Sequence, residues 1–420
     1  MACRHLIFRI ALLLMLAGCW SAQASDRFRV GGFGTLGYAW DDRNDIAAYR
    51  DISQLPKDGY ATGPSWLLDS RLGMQLEYNL TPIINLVGQI VWRDHFKASL
   101  SSSTELAYVA VHPHPDVDVR VGRINYDAFL MSDHRNVGYA YPWVRPPLEF
   151  YGWIPIFSID GADVAYRMHS ANDTSWRIKA QAGNSQFWIP VNSGIGGGYR
   201  FETNDLMSLS LTHQSELWRV KLAHSRFSAA TEVPAFGPLH AGLDAVAAAA
   251  IPGVSTEAAD LRKNLSFKGA HISYTTLGFA YDDNTWLAQA ELGLSSSTAD
   301  VVPTSRMAYA SVGRRFGDWL PFVMLSTSRP VQPRSARNNW GGLNATVRDP
   351  AVRTANALRI DQNTLSIGAR WDFHAQAALK LQWDHSRSNP PGYGVWMRAV
   401  DASRRSERLN LFTATVDFVF

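Results

Sequence analysis

The last eight residues read Thr413-Ala-Thr-Val-Asp-Phe-Val-Phe420. Phe412, Ala414, Val416, Phe418 and Phe420 fall on one face, and Thr413, Thr415, Asp417 and Val419 on the other. A period of two is the signature of a β-strand with one apolar side. A terminus that is itself an apolar strand needs pairing along its edges and cover on its face. The rest of the chain says what supplies them.

The same alternation recurs along the chain. Leu72, Met74, Leu76 and Tyr78 oppose Arg71, Gln75 and Glu77. Ile84, Leu86, Ile90 and Trp92 oppose Asn85, Gln89 and Arg93. Trp176, Ile178 and Ala180 oppose Arg177, Lys179 and Gln181, and Trp218, Val220 and Leu222 oppose Arg219 and Lys221. Such segments predict about 16 strands of about 9–14 residues, long enough to cross a bilayer when tilted. Short connections rich in Asn, Asp, Ser, Gly and Pro alternate with long ones. Long ones follow Trp40, Tyr126, Phe227, Ser328 and Ser386. Charges on the polar face of strand after strand suit a wet interior better than a dry core. Tryptophan, at 15 residues, recurs at strand ends, where an aromatic girdle meets the membrane interface. The expected fold is therefore all-β: a transmembrane antiparallel β-barrel, closed by pairing of the last strand with Phe28–Trp40.

The N-terminus reads as a secretory signal peptide over residues 1–24: Arg4 and Arg9, then an apolar core, then the small-x-small stretch ending at Ala24. The alternative is a lipobox at Leu16–Cys19, with Cys19 lipidated. Cleavage after Ala24 removes both cysteines and leaves a barrel domain over 25–420 with no disulfide framework. It also takes the 40 basic residues to 38 against 37 acidic ones. Nucleic acid is not an expected partner.

From these features the chain resembles the Gram-negative outer-membrane porins, in their 16-stranded, trimeric form. The likeness covers the whole mature chain, with Gly32–Trp40, Val119–Arg123 and the stretch Val137–Tyr151 followed by Asp160–Tyr166 resembling porin segments. It implies passive diffusion of small hydrophilic solutes and ions through a water-filled lumen, a homotrimer, contact with outer-membrane lipid and lipopolysaccharide, and a terminal Phe420 read by the barrel-assembly machinery. It also implies that the loop after the fifth strand, about 126–157, folds into the pore as a constriction loop. Its candidate charges are Asp127, Asp133, Arg135, Arg145 and Glu149. Arg145 is the foremost, because Pro146 and Pro147 stiffen the backbone after it. Wall candidates are Arg71, Arg93, Arg120, Arg123, Arg177, Lys179, Arg219 and Lys221, with Arg370 and Lys380. They stand against Glu77, Glu105, Asp118, Glu291, Asp372, Asp384 and Asp417. The loop's aromatics either pack on the wall or offer stacking faces to sugars.

The slight cationic excess predicts a weak anion preference. The alternatives are a channel selective for organic anions or sugars, and an outer-membrane lipid hydrolase built on His224–Ser225 or His385–Ser386. Adjacent strand residues point to opposite faces, which argues against the hydrolase. His112 and His114 have a metal-ligand look without a third ligand in sequence. No metal or organic cofactor is expected.

Overall fold

The computed structural model describes residues 27–43, 46–54, 64–170, 173–190, 198–389, 394–398 and 406–420. The signal-peptide reading of 1–24, with Cys19, lies outside the described residues.

Sixteen antiparallel strands close into one barrel. They are β1 (Phe28–Asp41), β2 (Arg71–Thr81), β3 (Ile84–Arg93), β4 (Thr104–His114), β5 (Val117–Asn125), β6 (Ser158–His169), β7 (Ser175–Asn184) and β8 (Gly198–Gln214), followed by β9 (Trp218–Ala229), β10 (His271–Asp282), β11 (Trp286–Ser297), β12 (Ser305–Arg314), β13 (Trp319–Pro330), β14 (Gln362–His374), β15 (Ala377–Ser388) and β16 (Arg408–Val419). Each pairs with its neighbours in sequence, and β16 pairs with β1 from Phe33↔Val419 to Asp41↔Leu411. Tight turns close one rim and long loops crown the other. A short segment, Gln186–Pro190, extends the β7–β8 hairpin beyond the barrel by pairing with the start of β8.

The closure explains the bare aromatic terminus. Gly32 donates its N–H to the Phe420 carbonyl at 2.8 Å and accepts from the Phe420 N–H at 3.0 Å. The Phe420 and Phe418 rings lie over Gly32 and Gly34. A Cβ at Gly32 would stand 2.3 Å from the Phe420 ring, and one at Gly34 2.2 Å from Phe418. Aromatic rings over strand glycines restore packing that the missing side chains leave out. A closed ring leaves no backbone edge unpaired, as hydrocarbon demands.

The outer face is apolar around the ring: Leu76, Leu86, Val121, Leu209, Leu277, Leu292, Leu325 and Leu381 are all exposed. Exposed tryptophans bound this belt. Trp176, Trp218, Trp286, Trp319 and Trp371 stand at the tight-turn rim, and Trp40, Trp66 and Trp92 at the other. Trp319 and Trp371, register partners, stack at 5.4 Å.

The long loops carry what helix there is. Helices α1 (Gly237–Ala248) and α2 (Val254–Asn264) form a hairpin in the loop after β9, and α3 (Asp349–Ala355) packs against it from the loop after β13. No helix among the described residues is long and apolar enough to cross a membrane.

Candidate functional site: the barrel lumen

The loop after β5, residues 126–157, runs inside the barrel and is fastened to its wall at successive strands. Within β5, before the loop begins, Gly122 holds φ of +130°, and a Cβ there would meet the Ala107 carbonyl oxygen at 2.3 Å; only glycine tolerates that backbone. The first anchor is Asp127. Its N–H donates to Gln181 at 2.8 Å and its carboxylate accepts from Ser210 at 2.8 Å. The same carboxylate pairs with Lys221, and with Lys179 at 3.4 Å. Burial opposes ionisation of Asp127, but the two lysines outweigh it and hold its pKa below the carboxylate range.

Next along the loop, Leu130 donates to Glu291 at 2.9 Å, and Glu291 also accepts from Tyr151 and, at 2.6 Å, from Tyr309. Arg71 donates to the Asn136 carbonyl at 2.5 Å and the Tyr141 hydroxyl at 2.9 Å. Lys380 donates to the carbonyls of Gly138 at 2.6 Å and Trp143 at 2.9 Å. Trp143 donates to Ser311 at 2.7 Å.

Arg145 sits at the far wall. Its guanidinium lies 2.6 Å from Asp69 and 2.7 Å from Asp384, and donates to Thr413 at 2.6 Å. It is 2% exposed. It therefore ties the loop to β15 and β16 and does not present a free charge to water, as the expectation of a pore-facing Arg145 had it. Glu149, also buried, accepts from Ser326 at 2.6 Å, from Gln362 at 2.5 Å and from Thr364. Among the described residues it has no cation beside it. Burial pushes its pKa up, and the three neutral donors offset only part of that.

The loop's aromatics take the packing role. Phe129 meets Phe150 and Tyr151 edge-on, and Phe150 and Trp143 pack on Tyr309 of β12 at 5.4 and 5.8 Å. All are buried, so these rings pack the loop onto the wall at β12. Arg135 is spent within the loop: it donates to the carbonyls of Ile154, at 2.9 Å, and Tyr151, and lies over the Phe157 ring.

The wall along β2–β9 is polar. Arg120 pairs with Asp163 at 3.0 Å, and Lys179 stands 3.7 Å from the same carboxylate. Arg93 pairs with Asp51 at 2.6 Å and lies 3.8 Å from Glu105. A bulge in the β3–β4 pairing accompanies the inward turn of Glu105. Arg177 and Arg219 are half-buried, and the Nε of each has no hydrogen-bond partner. Facing them, the loop exposes Asp133 and leaves His134, Asn136, Val137 and Tyr139 half-buried. Burial first, then the positive charge of Arg219, lowers the His134 pKa to about 4.

Of the wall cations named from sequence, Arg71, Arg93, Arg120, Arg177, Lys179, Arg219 and Lys221 lie on the inner face. Arg123 does not. It is three residues from Arg120, so strict alternation turns it outward beside Val121. It pairs there with Asp160 at 2.7 Å. Four inner-face partners escaped the sequence reading: Asp69, Arg50 and Asp51, from the loop after β1, and Asp163. The first three lie outside any alternating segment. Asp163 was legible, being two positions from Ala165 on the inner face of β6.

His224 and Ser225 stand on opposite faces. His224 bonds Thr275 at 2.9 Å outside, and Ser225 meets Tyr126 inside. His112 is held by Asp118 at 2.7 Å, and no group of three His, Cys, Asp or Glu among the described residues is arranged to hold a metal.

No protein-family profile matches the chain, and no curated protein does. Solved structures do. OmpF of Salmonella typhi, in a complex with daunomycin, superposes with a TM-score of 0.54 at 12% identity, covering 94% of this chain and 97% of its own. The outer-membrane channel DcaP of Acinetobacter baumannii gives 0.49 at 10% identity over 94% and 99%, and a porin variant of Rh. blastica 0.45 at 11% over 94% and 100%. The likeness to OmpF is one of fold: this chain has the architecture of an outer-membrane porin. With its apolar belt and tryptophan rims, it is an outer-membrane barrel.

Proposed function

We propose that the chain is a porin of a Gram-negative bacterium, passing small hydrophilic solutes and ions by passive diffusion through the half of the lumen between β2–β9 and the loop segment 132–140. The carrying observation is the asymmetry inside the barrel. The loop packs its aromatic rings against β12 and ties Arg145 to the wall beyond, while the wall on the other side keeps Arg120, Arg177 and Arg219 opposite Asp133. Charges of opposite sign across a narrow passage set up a transverse field that orders water and orients dipolar solutes. The loop acts as the constriction, with Asp133 its charge at the passage and Asp127, Arg135, Arg145 and Glu149 holding its shape. The basic wall favours anions weakly. As the porin resemblance implies, the chain works as a homotrimer without catalysis, is inserted by the barrel-assembly machinery and contacts lipopolysaccharide.

A second reading is a channel selective for organic anions, which the unpartnered Nε groups of Arg177 and Arg219 favour. Reversal potential in a potassium chloride gradient across a planar bilayer tests the first reading: stepwise ohmic currents with a reversal displaced toward chloride support it, and absence of conductance rejects it. Current block by a small dicarboxylate at low concentration distinguishes the second.

A further inference from the structure

At its long-loop end the barrel wall has a notch. Pairing of β4 with β5 stops at Ala107↔Arg123, so the first residues of β4 have no β5 partner. Arg123 closes the outside of the gap. Its Nη1 donates to the carbonyls of Ser101 at 2.8 Å and Thr104 at 3.2 Å, and its Nε pairs with Asp160 at 2.7 Å. The loop after β3 crosses from here to the β7–β8 extension. There the Phe96 ring lies so near Gly198 that a Cβ would stand 2.3 Å from it. Between these elements is a cavity of about 320 Å³, within the range of small-ligand sites. A cavity of about 150 Å³ takes a benzene ring, so this one has room for a ring, a charged substituent and ordered water.

The lining is cationic and aromatic. Arg93, Lys97, Arg123 and Arg200 stand there with two carboxylates, Glu105 and Asp160. Arg123 is spent on Asp160, and Arg200 pairs with Glu202 at 2.6 Å. Arg93 pairs with Asp51 at 2.6 Å, although its Nε makes no hydrogen bond among the described residues. Lys97 differs from all three. It is exposed, lies over the Trp188 ring at 4.0 Å, and has no carboxylate against it among the described residues. An ammonium group held at a ring face keeps N–H donors for a further partner. Phe187 and Trp188, both half-buried, bound the same cavity. Arg93 and Glu105 belong to the inner wall, so the cavity adjoins the polar passage.

We propose that this cavity is an entry site for small aromatic carboxylates, with the carboxylate on Lys97 and the ring against Phe187 and Trp188. The assignment rests on the channel reading above and gives its organic-anion form a substrate class and a place. An aliphatic acid leaves the rings unused, and a neutral ring leaves the ammonium group unmatched. Only a ring that carries a negative charge uses both.

The test is titration calorimetry of the full-length protein in detergent with benzoate, benzamide and acetate, together with current block by benzoate added on the long-loop side of a planar bilayer. The wild type is expected to bind benzoate more tightly than the other two. Lys97→Gln should weaken benzoate about tenfold, the scale of one charge-assisted hydrogen bond, and relieve the block. Trp188→Leu should weaken it about fivefold. Because Lys97 is exposed, a loss in its variant reports the site and not misfolding. Equal benzoate affinity in wild type and both variants overturns the site. Equal binding of benzamide overturns the role of the charge, and equal binding of acetate overturns the role of the rings. Lys97-dependent benzoate binding by a protein that conducts no ions supports the cavity and rejects the channel reading alone. Ohmic conductance without benzoate binding rejects the cavity alone.

Discussion

Nη2 of Arg145 lies 2.6 Å from Oδ2 of Asp69, and both side chains are buried. The two residues come from different loops, before β2 and after β5, and meet inside the barrel against Asp384 and Thr413. Removing one partner of a buried ion pair strands the other charge, at about 3–5 kcal/mol. Arg145→Ala should therefore lower the thermal midpoint in detergent and loosen the loop, and single-channel conductance should rise. Unchanged conductance and stability would show that the pair does not hold the loop.

Glu149 makes a pH prediction. Burial raises its pKa above the ordinary 4.5, so the folded state favours the protonated acid. Its stabilising contribution is full below about pH 4.5 and is lost as pH rises through the raised folded value. Glu149→Gln keeps an uncharged side chain among Ser326, Gln362 and Thr364. Its thermal midpoint should exceed the wild type's at pH 8, with the gap closing at pH 4. A gap independent of pH would remove Glu149 as the cause. Comparing variant with wild type cancels the opposite trend of Asp127, whose depressed pKa removes stability as pH falls.

Arg93, Arg177 and Arg219 are wall cations whose Nε atoms lack hydrogen-bond partners among the described residues; Arg93 is paired with Asp51 through another nitrogen, so Arg177 and Arg219 are the two tested. The double variant Arg177→Ala, Arg219→Ala should move the reversal potential away from chloride, toward zero or beyond it. With the His134 pKa at about 4, that ring stays neutral at ordinary pH, so the wild-type preference should be flat from pH 5.5 to 8. A steep rise in anion preference across that range would mean that His134 titrates there.

Gly32 and Phe420 close the ring. Gly32→Val puts a Cβ within 2.3 Å of the Phe420 ring and 2.8 Å of the Gly73 carbonyl oxygen. The variant should assemble poorly, seen as loss of the folded, heat-modifiable band on a detergent gel. Normal assembly would show that the ring can move aside.

The barrel was legible because alternation is a local property. Trp371 and Arg370 declare their faces whatever the loops do, and the terminal phenylalanines ask for the glycines of β1. The loop's place inside the barrel came from resemblance, and its chemistry was only half legible. Arg145 carries a charge in a stiff, aromatic-rich segment, which reads equally as a pore group or as an anchor. What decides is Asp69, more than 70 positions away and in no periodic segment. Arg123 was misplaced for a simpler reason: its odd spacing from Arg120 forbids a shared face.

The central claim is that hydrocarbon covers the outside of this barrel while protein and water fill the inside. Tryptophan fluorescence of the protein in vesicles containing brominated acyl chains tests it most directly. Trp176, Trp218, Trp286, Trp319 and Trp371 stand exposed on the outer face, and Trp143 is buried inside. Strong quenching is predicted, abolished when the outer tryptophans are replaced by phenylalanine with Trp143 kept. Folded protein whose emission ignores the bromines would contradict it.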